Sequence, residues 1–277
     1  MAIPYDRNLV DWFLREKQVR GTHASGGFAY DLTLKVPSLV TAIHAGNRIR
    51  DELQPLICLP DDQRHFEEDT ATDAIIQDCP STIYALDSRA EYDLNRPEDV
   101  AIPLTPEQFW GIPVYQHPPT ERMNRVTMAK YHAFYEFITS YIQAVIVKFG
   151  ACFVYDIHSY NVTRQVEKGF DSPPLFNLGT ALLDRDKWAA PIESWLDQLK
   201  RVQLPNLSTT VAENEVFKGR AEFCRRLSGW DPNILVLPTE IAKVYMDERT
   251  GVLHPPAIAA LKTGIAAAIH RHITFFF

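Results

Sequence analysis

No stretch of the 277 residues approaches the roughly 18 consecutive apolar residues that a helix needs to cross a bilayer, so no membrane partner is expected. The opening MAIPYDRNLVDWF has no basic segment leading into an apolar run, and no signal peptide is expected either. Cysteine is scarce. Cys58, Cys79, Cys152 and Cys224 form no C-x-x-C pair and no metal-ligand spacing, which reads as buried thiols in a reducing cytoplasm. Basic runs are missing, with Lys and Arg totalling 28 in a chain of net charge -7, so nucleic acid is not an expected partner. There is no G-x-S-x-G elbow, no phosphate-binding glycine loop and no G-x-G-x-x-G. Cys152 lies inside an apolar run and reads as packing, which leaves nucleophilic serine or cysteine catalysis little local support. No internal repeat, low-complexity tract or break in composition marks a boundary, so a single domain over residues 1–277 is expected.

Hydrophobic residues make up 46% of the chain, enough for a large core. Residues 7–18 predict an amphipathic helix with Leu9, Val10, Phe13 and Leu14 on one face. Residues 21–32, with three glycines, read as loop. SLVTAI (38–43) is a short β-branched run that reads as a buried strand and ends at His44. A helix-like acidic stretch precedes a second strand, STIYAL (81–86). Residues 97–125 are proline-rich and irregular, as expected of a substrate loop or a plain connector. From Arg125 to Gly150 a stripe of Met128, Tyr131, Phe134, Phe137, Tyr141, Val145 and Phe149 predicts a long helix packed on the core. ACFVYDI (151–157) predicts a buried strand running into His158, and NILVLP (233–238) another that feeds Glu240. Helices are expected over 184–201 and 255–272, the latter opened by two prolines. Strands alternating with helices predict an α/β fold with a largely parallel sheet. His44, Arg96, His158 and Glu240 then fall at or after apolar runs, where such sheets bind ligands.

A catalytic zinc site commonly takes two histidines and a carboxylate and leaves a position for water. His44 and His158 are the best-placed histidines, and HFEEDTATD offers Glu67, Glu68, Asp69 or Asp73. The bland readings are hydrogen-bonded structural histidines and a solvated helix face. Asp156, two residues before His158, points the same way on a strand and could orient an imidazole, or simply cap a turn. Arg89 and Arg96 could hold a substrate carboxylate or an oxyanion, against the alternative of surface salt bridges. Lys218 and Arg220 offer a second anion contact. Glu240 could serve as a general base or be a paired structural carboxylate.

At these residues the chain resembles the N-formylglutamate amidohydrolase family. The pieces are IHAGNRI (43–49), EEDTATD (67–73), SRAEYDLNRP (88–97), YDIHS (155–159), FNLGT (176–180), NEVFKG (214–219) and TEIAKVYMDE (239–248). The resemblance implies a three-layer α/β/α sandwich with a mixed, largely parallel sheet, related to zinc carboxypeptidases and aspartoacylase-type deacylases. It implies one zinc ion on His44, His158 and a carboxylate from Glu67 or Asp69. It also implies Glu240 as the group that activates water and Arg96 as the residue that holds a substrate carboxylate or polarises the carbonyl. Arg89, Asn95, Asn177 and Lys218, which lie in or beside these segments, are the further expected substrate contacts. Two positions depart from the family pattern. Arg220 stands where a second glycine is usual, and Pro238 where a strand without proline is typical. The expected activity is metal-dependent hydrolysis of an N-formyl or N-acyl amino acid, or another small acidic amide. The alternatives are a carboxypeptidase- or amidase-like activity on peptides or cell-wall fragments, and a metal-free binding protein of the same fold.

Overall fold

A computed structural model describes residues 5–277; the first four residues of the opening segment, on which the leader reading partly rests, lie outside that range. Eight strands form one sheet: β1 (Gln18–Thr22), β2 (Phe28–Thr33), β3 (Ser38–Ala42), β4 (Thr82–Ala85), β5 (Cys152–Tyr160), β6 (Phe176–Leu178), β7 (Val211–Glu213) and β8 (Ile234–Ala242). Their order is β1-β2-β4-β3-β5-β8-β6-β7. β3 pairs in parallel with β4 and β5, β5 with β8 and β6 with β7, whereas β1–β2, β2–β4 and β6–β8 are antiparallel. β3 and β5 are buried along their whole length, and β8 everywhere but Glu240. Central strands with helices on both faces have that property.

Helices α1 (Arg7–Glu16), α4 (Glu121–Phe149) and α7 (Glu222–Ser228) cover one face, and α3 (Thr72–Ile76), α6 (Arg185–Leu199) and α8 (Pro255–Phe276) cover the other. The fold is the expected α/β/α sandwich. Alternation along the strands divides the core in two. Leu39, Cys152, Val154, Ile234 and Val236 pack with Phe134, Ile138 and Phe223, whereas Val40, Phe153, Tyr155 and Leu235 pack with Ile75, Trp195 and Ile265. Counting on from Val154 and Val236 in steps of two puts Asp156, His158 and Glu240 on the α4–α7 face, past the end of its apolar core. Two short helices, α2 (Asp61–Glu67) and α5 (Val162–Glu167), complete the fold.

Several sequence expectations need correcting. Residues 21–32 are not a loop. They contribute to the β1–β2 hairpin, with Gly26 at φ +74° in its turn. The glycines mark the turn, and FAYDLT pairs on both sides as a strand. β5 and β8 run on to Tyr160 and Ala242, so His158 and Glu240 lie within strands and not beyond them. α4 begins at Glu121, earlier than the periodicity suggested, because the Thr120 side chain caps it by accepting from the Met123 amide. Strands of three residues, such as β6 and β7, are too short to show a period. Pro238 sits in β8 without disrupting it. β6 pairs only with Thr239–Ile241, and beyond that the Pro238 carbonyl accepts from the Gly179 amide.

The chain leaving His44 crosses the end of β4, where the Arg48 amide donates to Leu86 at 3.1 Å and the Ser88 amide to Arg48 at 2.7 Å. A Cβ on Gly46 would lie 2.3 Å from the Asp87 carbonyl oxygen. Gly46→Ala is expected to force this crossing apart and lower stability by about 1–3 kcal/mol, the scale of overpacking. Urea unfolding checks this: the midpoint should fall with an unchanged m-value, and an unchanged midpoint would refute the tight crossing.

Candidate metal centre and active-site cavity

His44 lies two residues past β3 and His158 on β5, its neighbour in the sheet, so the two rings meet with centroids 4.9 Å apart. Asp69 comes from the link between α2 and α3. That link is pinned at both sides. The Asp69 amide donates to the His44 carbonyl at 3.0 Å, and the carbonyls of Phe66 and Thr70 accept from Lys243 and Tyr245, which follow β8. His44, Asp69 and His158 are all buried, and one ligand atom of each lies within 4.8 Å of the others.

The hydrogen bonds around this trio have a consistent direction. His44 Nε2 is 2.8 Å from Asp93 Oδ1, and His158 Nε2 is 2.8 Å from Asp156 Oδ2. Asp156 is held in turn by the Thr41 hydroxyl at 2.7 Å. A carboxylate beside Nε2 keeps the proton there and leaves the Nδ1 lone pair free. Both Nδ1 atoms face one oxygen, Asp69 Oδ2, at 3.4 Å from His44 and 3.1 Å from His158. His44 Nδ1 is buried with no hydrogen-bond partner. The two Nδ1 atoms and this carboxylate oxygen thus converge, and once the proton that His158 Nδ1 shares with Asp69 is displaced they form a donor set that fits a divalent cation. The local charge points the same way. Burial alone would lower the His158 pKa, yet Asp156 and Asp69 hold it well above the ordinary value. Burial would raise Asp69, and hydrogen bonds to His158 and His44 hold it below the usual carboxylate range.

The other acidic candidates are engaged elsewhere. Glu67 forms a two-pronged pair with Arg164, Nη1 to Oε2 at 2.7 Å and Nη2 to Oε1. Glu68 accepts from the Ser88 hydroxyl at 2.5 Å and from Arg64 at 2.8 Å. Asp73 lines a separate cavity beside β1 and β2.

A cavity of about 370 Å³ opens over the trio. Glu240 reaches it from β8, directly opposite His158 in the parallel register. Burial pushes the Glu240 carboxyl up to about 8, with His158 opposing and Asp69 and Asp156 reinforcing the shift. Arg89, Asn95 and Arg96 also line the cavity. Arg89 is committed to Asp93, 2.6 Å away, whereas Arg96 touches the same carboxylate only through Nε at 3.5 Å. Arg96 forms no hydrogen bond to a carboxylate among the described residues, and Asp93 at 3.5 Å is its one ion-pair partner among them. Asn95 ties the loop to α7 by accepting from the Phe223 amide.

Asn177 is placed otherwise than expected. It is fully buried, does not line the cavity, and spends its side chain on the Glu215 and Val216 amides and the Phe217 carbonyl. Lys218 lines a side cavity of about 260 Å³ that shares His158 and Glu240 with the main one.

Sequence reasoning missed Asp93, Arg164, Lys243 and Trp110. Asp93 stands inside SRAEYDLNRP but resembles any turn aspartate until His44 is seen beside it. Lys243 is buried three residues after Glu240; burial lowers its pKa, with Asp69 and Glu67 opposing. Trp110 comes from the proline-rich segment, read from the sequence as a substrate loop or a connector, and lines the cavity. Buried Phe109 anchors that loop beside Leu59, Ala90 and Val114. Trp110 itself, at φ +51°, lies over Arg89 with the guanidinium 4.5 Å from its ring.

With this geometry in hand, comparison with known proteins is informative. The family model for N-formylglutamate amidohydrolase matches residues 36–246. No curated protein matches the chain. Among solved structures, an N-formylglutamate amidohydrolase from Ralstonia eutropha aligns with a TM-score of 0.74 at 19% identity, over 90% of this chain and 98% of its own. A gene product of Agrobacterium tumefaciens aligns with a TM-score of 0.63 at 18% identity, over 94% of this chain and 97% of its own. At these identities the two structures establish a shared fold.

The separation of Asp69 from Glu67 gives a direct test. Asp69→Asn and His44→Ala are each expected to abolish stoichiometric binding of added zinc, while Glu67→Gln retains it. Metal content measured after gel filtration checks this. Zinc lost from the Glu67 variant and kept by the Asp69 variant would reverse the assignment.

Proposed function

The chain belongs to the N-formylglutamate amidohydrolase family, and from that premise we propose that it hydrolyses a small N-acyl amino acid or acidic amide with one divalent metal, zinc, held by His44, Asp69 and His158. The observation that carries this reading is the convergence of two imidazole Nδ1 atoms, each with a carboxylate, Asp93 or Asp156, on its Nε2, with the carboxylate of Asp69. When bound there, such an ion acts as a Lewis acid and makes water nucleophilic at neutral pH. All four cysteines are free thiols, Cys79, Cys152 and Cys224 buried as expected and Cys58 exposed against that expectation, and free thiols suit the cytoplasmic setting that we propose.

Glu240 is the proton carrier in this proposal. It shares a cavity with the trio but is not one of the converging ligands. Its raised pKa suits a carboxylate that must accept a proton from water and later give it up. It takes that proton as the water attacks the amide carbonyl and passes it to the departing amine, so the amine leaves uncharged. Arg96 supplies the anion contact, because its guanidinium, no closer than 3.5 Å to Asp93, is the least engaged of the three in the cavity. Arg89 and Arg164 are neutralised by Asp93 and Glu67 and frame the walls. The size of the cavity suits a small amide, with the reacting bond held over His158 and Glu240.

Two substitutions separate these roles. Glu240→Gln keeps the shape but cannot take the proton, so kcat is expected to fall about 10²–10⁴-fold with zinc content unchanged. Loss of zinc would make Glu240 a ligand, and a normal kcat would return it to a structural role. Arg96→Lys keeps the charge and loses the fork. For substrates with a free carboxylate, kcat/KM is expected to fall by about 1–3 kcal/mol in transition-state terms, while the matching neutral amides change little. An unchanged ratio between acidic and neutral substrates would exclude this role.

A further inference from the structure

The reacting centre stands at a fork. The main cavity and the side cavity of about 260 Å³ share Asn95, His158, Phe217, Ala221 and Glu240. A bond held over His158 and Glu240 therefore has room on both sides. A formyl group, with a single carbon, needs no second arm. The side arm has an apolar floor of Pro238, Cys224 and Ala221 and carries Lys218 and Arg220. Neither cation has an acidic partner within salt-bridge distance among the described residues. Of the two acids that line the arm, Asp156 is committed to Thr41 and His158 and Glu240 stands at the fork shared with the main cavity, and nearby Glu222 is paired with Arg225 at 2.5 Å.

Exposed lysines and arginines are usually just solvated, but this pair is carried on a fixed stretch of backbone. Asn177 holds the Glu215 and Val216 amides at 3.0 and 2.9 Å and the Phe217 carbonyl at 2.8 Å. The Ala181 amide donates to the Lys218 carbonyl at 3.0 Å. Between the two cations, Gly219 at φ +69° crosses Gly179 so closely that a Cβ on either would lie 2.6 Å or less from backbone of the other. Two glycines at a crossing of this kind lock the path of both segments. The FNLGT and NEVFKG segments thus fix the backbone that carries Lys218 and, one residue on, Arg220, both of which line the cavity that borders Glu240.

We propose that the substrate carries carboxylates on both sides of the scissile amide: one on the amino-acid part, held by Arg96 in the main cavity, and one at the end of the acyl part, held by Arg220 and Lys218 in the side arm. The substrate class is the half-amide of a short dicarboxylic acid with an amino acid. Water adds across the acyl–nitrogen bond, releasing the dicarboxylate and the free amino acid. This inference rests on the amide-hydrolase reading and names its substrate.

The test compares two dianions of equal charge. N-succinylalanine has a carboxylate on each side of the amide, and N-acetylglutamate has both on the amine side. With zinc-loaded enzyme, kcat/KM is expected to be at least about tenfold higher for N-succinylalanine, the scale of one charge-assisted contact. Arg220→Ala, with folding checked by its melting temperature, should collapse that ratio, and Arg220→Lys should restore part of it. A ratio of one or below, or one indifferent to Arg220→Ala, overturns the proposal while leaving amide hydrolysis intact. Failure to hydrolyse any N-acyl amino acid would instead sink the hydrolase reading. Calorimetry on zinc-loaded Glu240→Gln protein then decides the arm by itself. Tighter binding of N-succinylalanine than of N-acetylglutamate, lost in the Arg220→Ala double variant, supports it, and equal binding refutes it.

Discussion

Buried negative charge at the carboxyl edge of the central strands is the constraint to which the surrounding structure responds. Asp69, Asp93 and Asp156 are all but inaccessible, and Glu240 stands beside them on β8. Each ionised carboxylate removed from water costs several kcal/mol unless it is matched. Arg89 and Lys243 supply two buried cations nearby, and both histidines turn Nε2 outward to a carboxylate. What remains is an electron-rich centre where Nδ1 of His44, Nδ1 of His158 and Asp69 Oδ2 meet. A divalent cation held there, as proposed, would match this excess of negative charge. The same carboxylates, Asp156 foremost and then Asp69, hold the His158 pKa above its ordinary value despite burial.

Precision at this centre comes from backbone contacts that need small residues. Gly46 lets the chain leaving His44 pass against Asp87, and Gly179 and Gly219 let the two loops flanking the side cavity cross. Asn177, buried beneath these loops, replaces the missing strand hydrogen bonds of the 215–217 segment with three of its own. These residues touch no reacting group. They fix the backbone from which Lys218 and Arg220 extend.

The legible parts of the sequence were those with a period or a sharp boundary. The α4 stripe, the buried runs of β3, β5 and β8 and the helix of 255–276 each repeat a pattern long enough to read. The β1–β2 hairpin was missed because its glycines outweighed six residues of β-type sequence. Strands β6 and β7 were missed because three residues cannot show alternation. Among site residues, His44, His158, Arg96 and Glu240 stood out because each follows or ends an apolar run. Arg96 did so by coincidence, since it lies on a loop well past β4 and reaches the cavity through the Asp93 turn.

By itself the sequence determined the class of fold, the two histidines, the acidic segment that faces them and the strand that brings Glu240 to the same edge. Those features depend on local periodicity and on the rule that α/β sheets carry their chemistry at strand ends. Only the tertiary structure decided which carboxylate of that segment lies with the histidines, that the Asn177 side chain is spent on a neighbouring loop, and that Arg96 is the most loosely paired of the cavity guanidiniums. Glu67 and Asp69 are two residues apart and chemically near-equal in the sequence. They part company because α2 ends at Glu67, where Arg164 captures it, and the chain then turns back under His44 and delivers Asp69. A pairing of that kind depends on side chains 97 residues apart in the chain, and no local pattern records it.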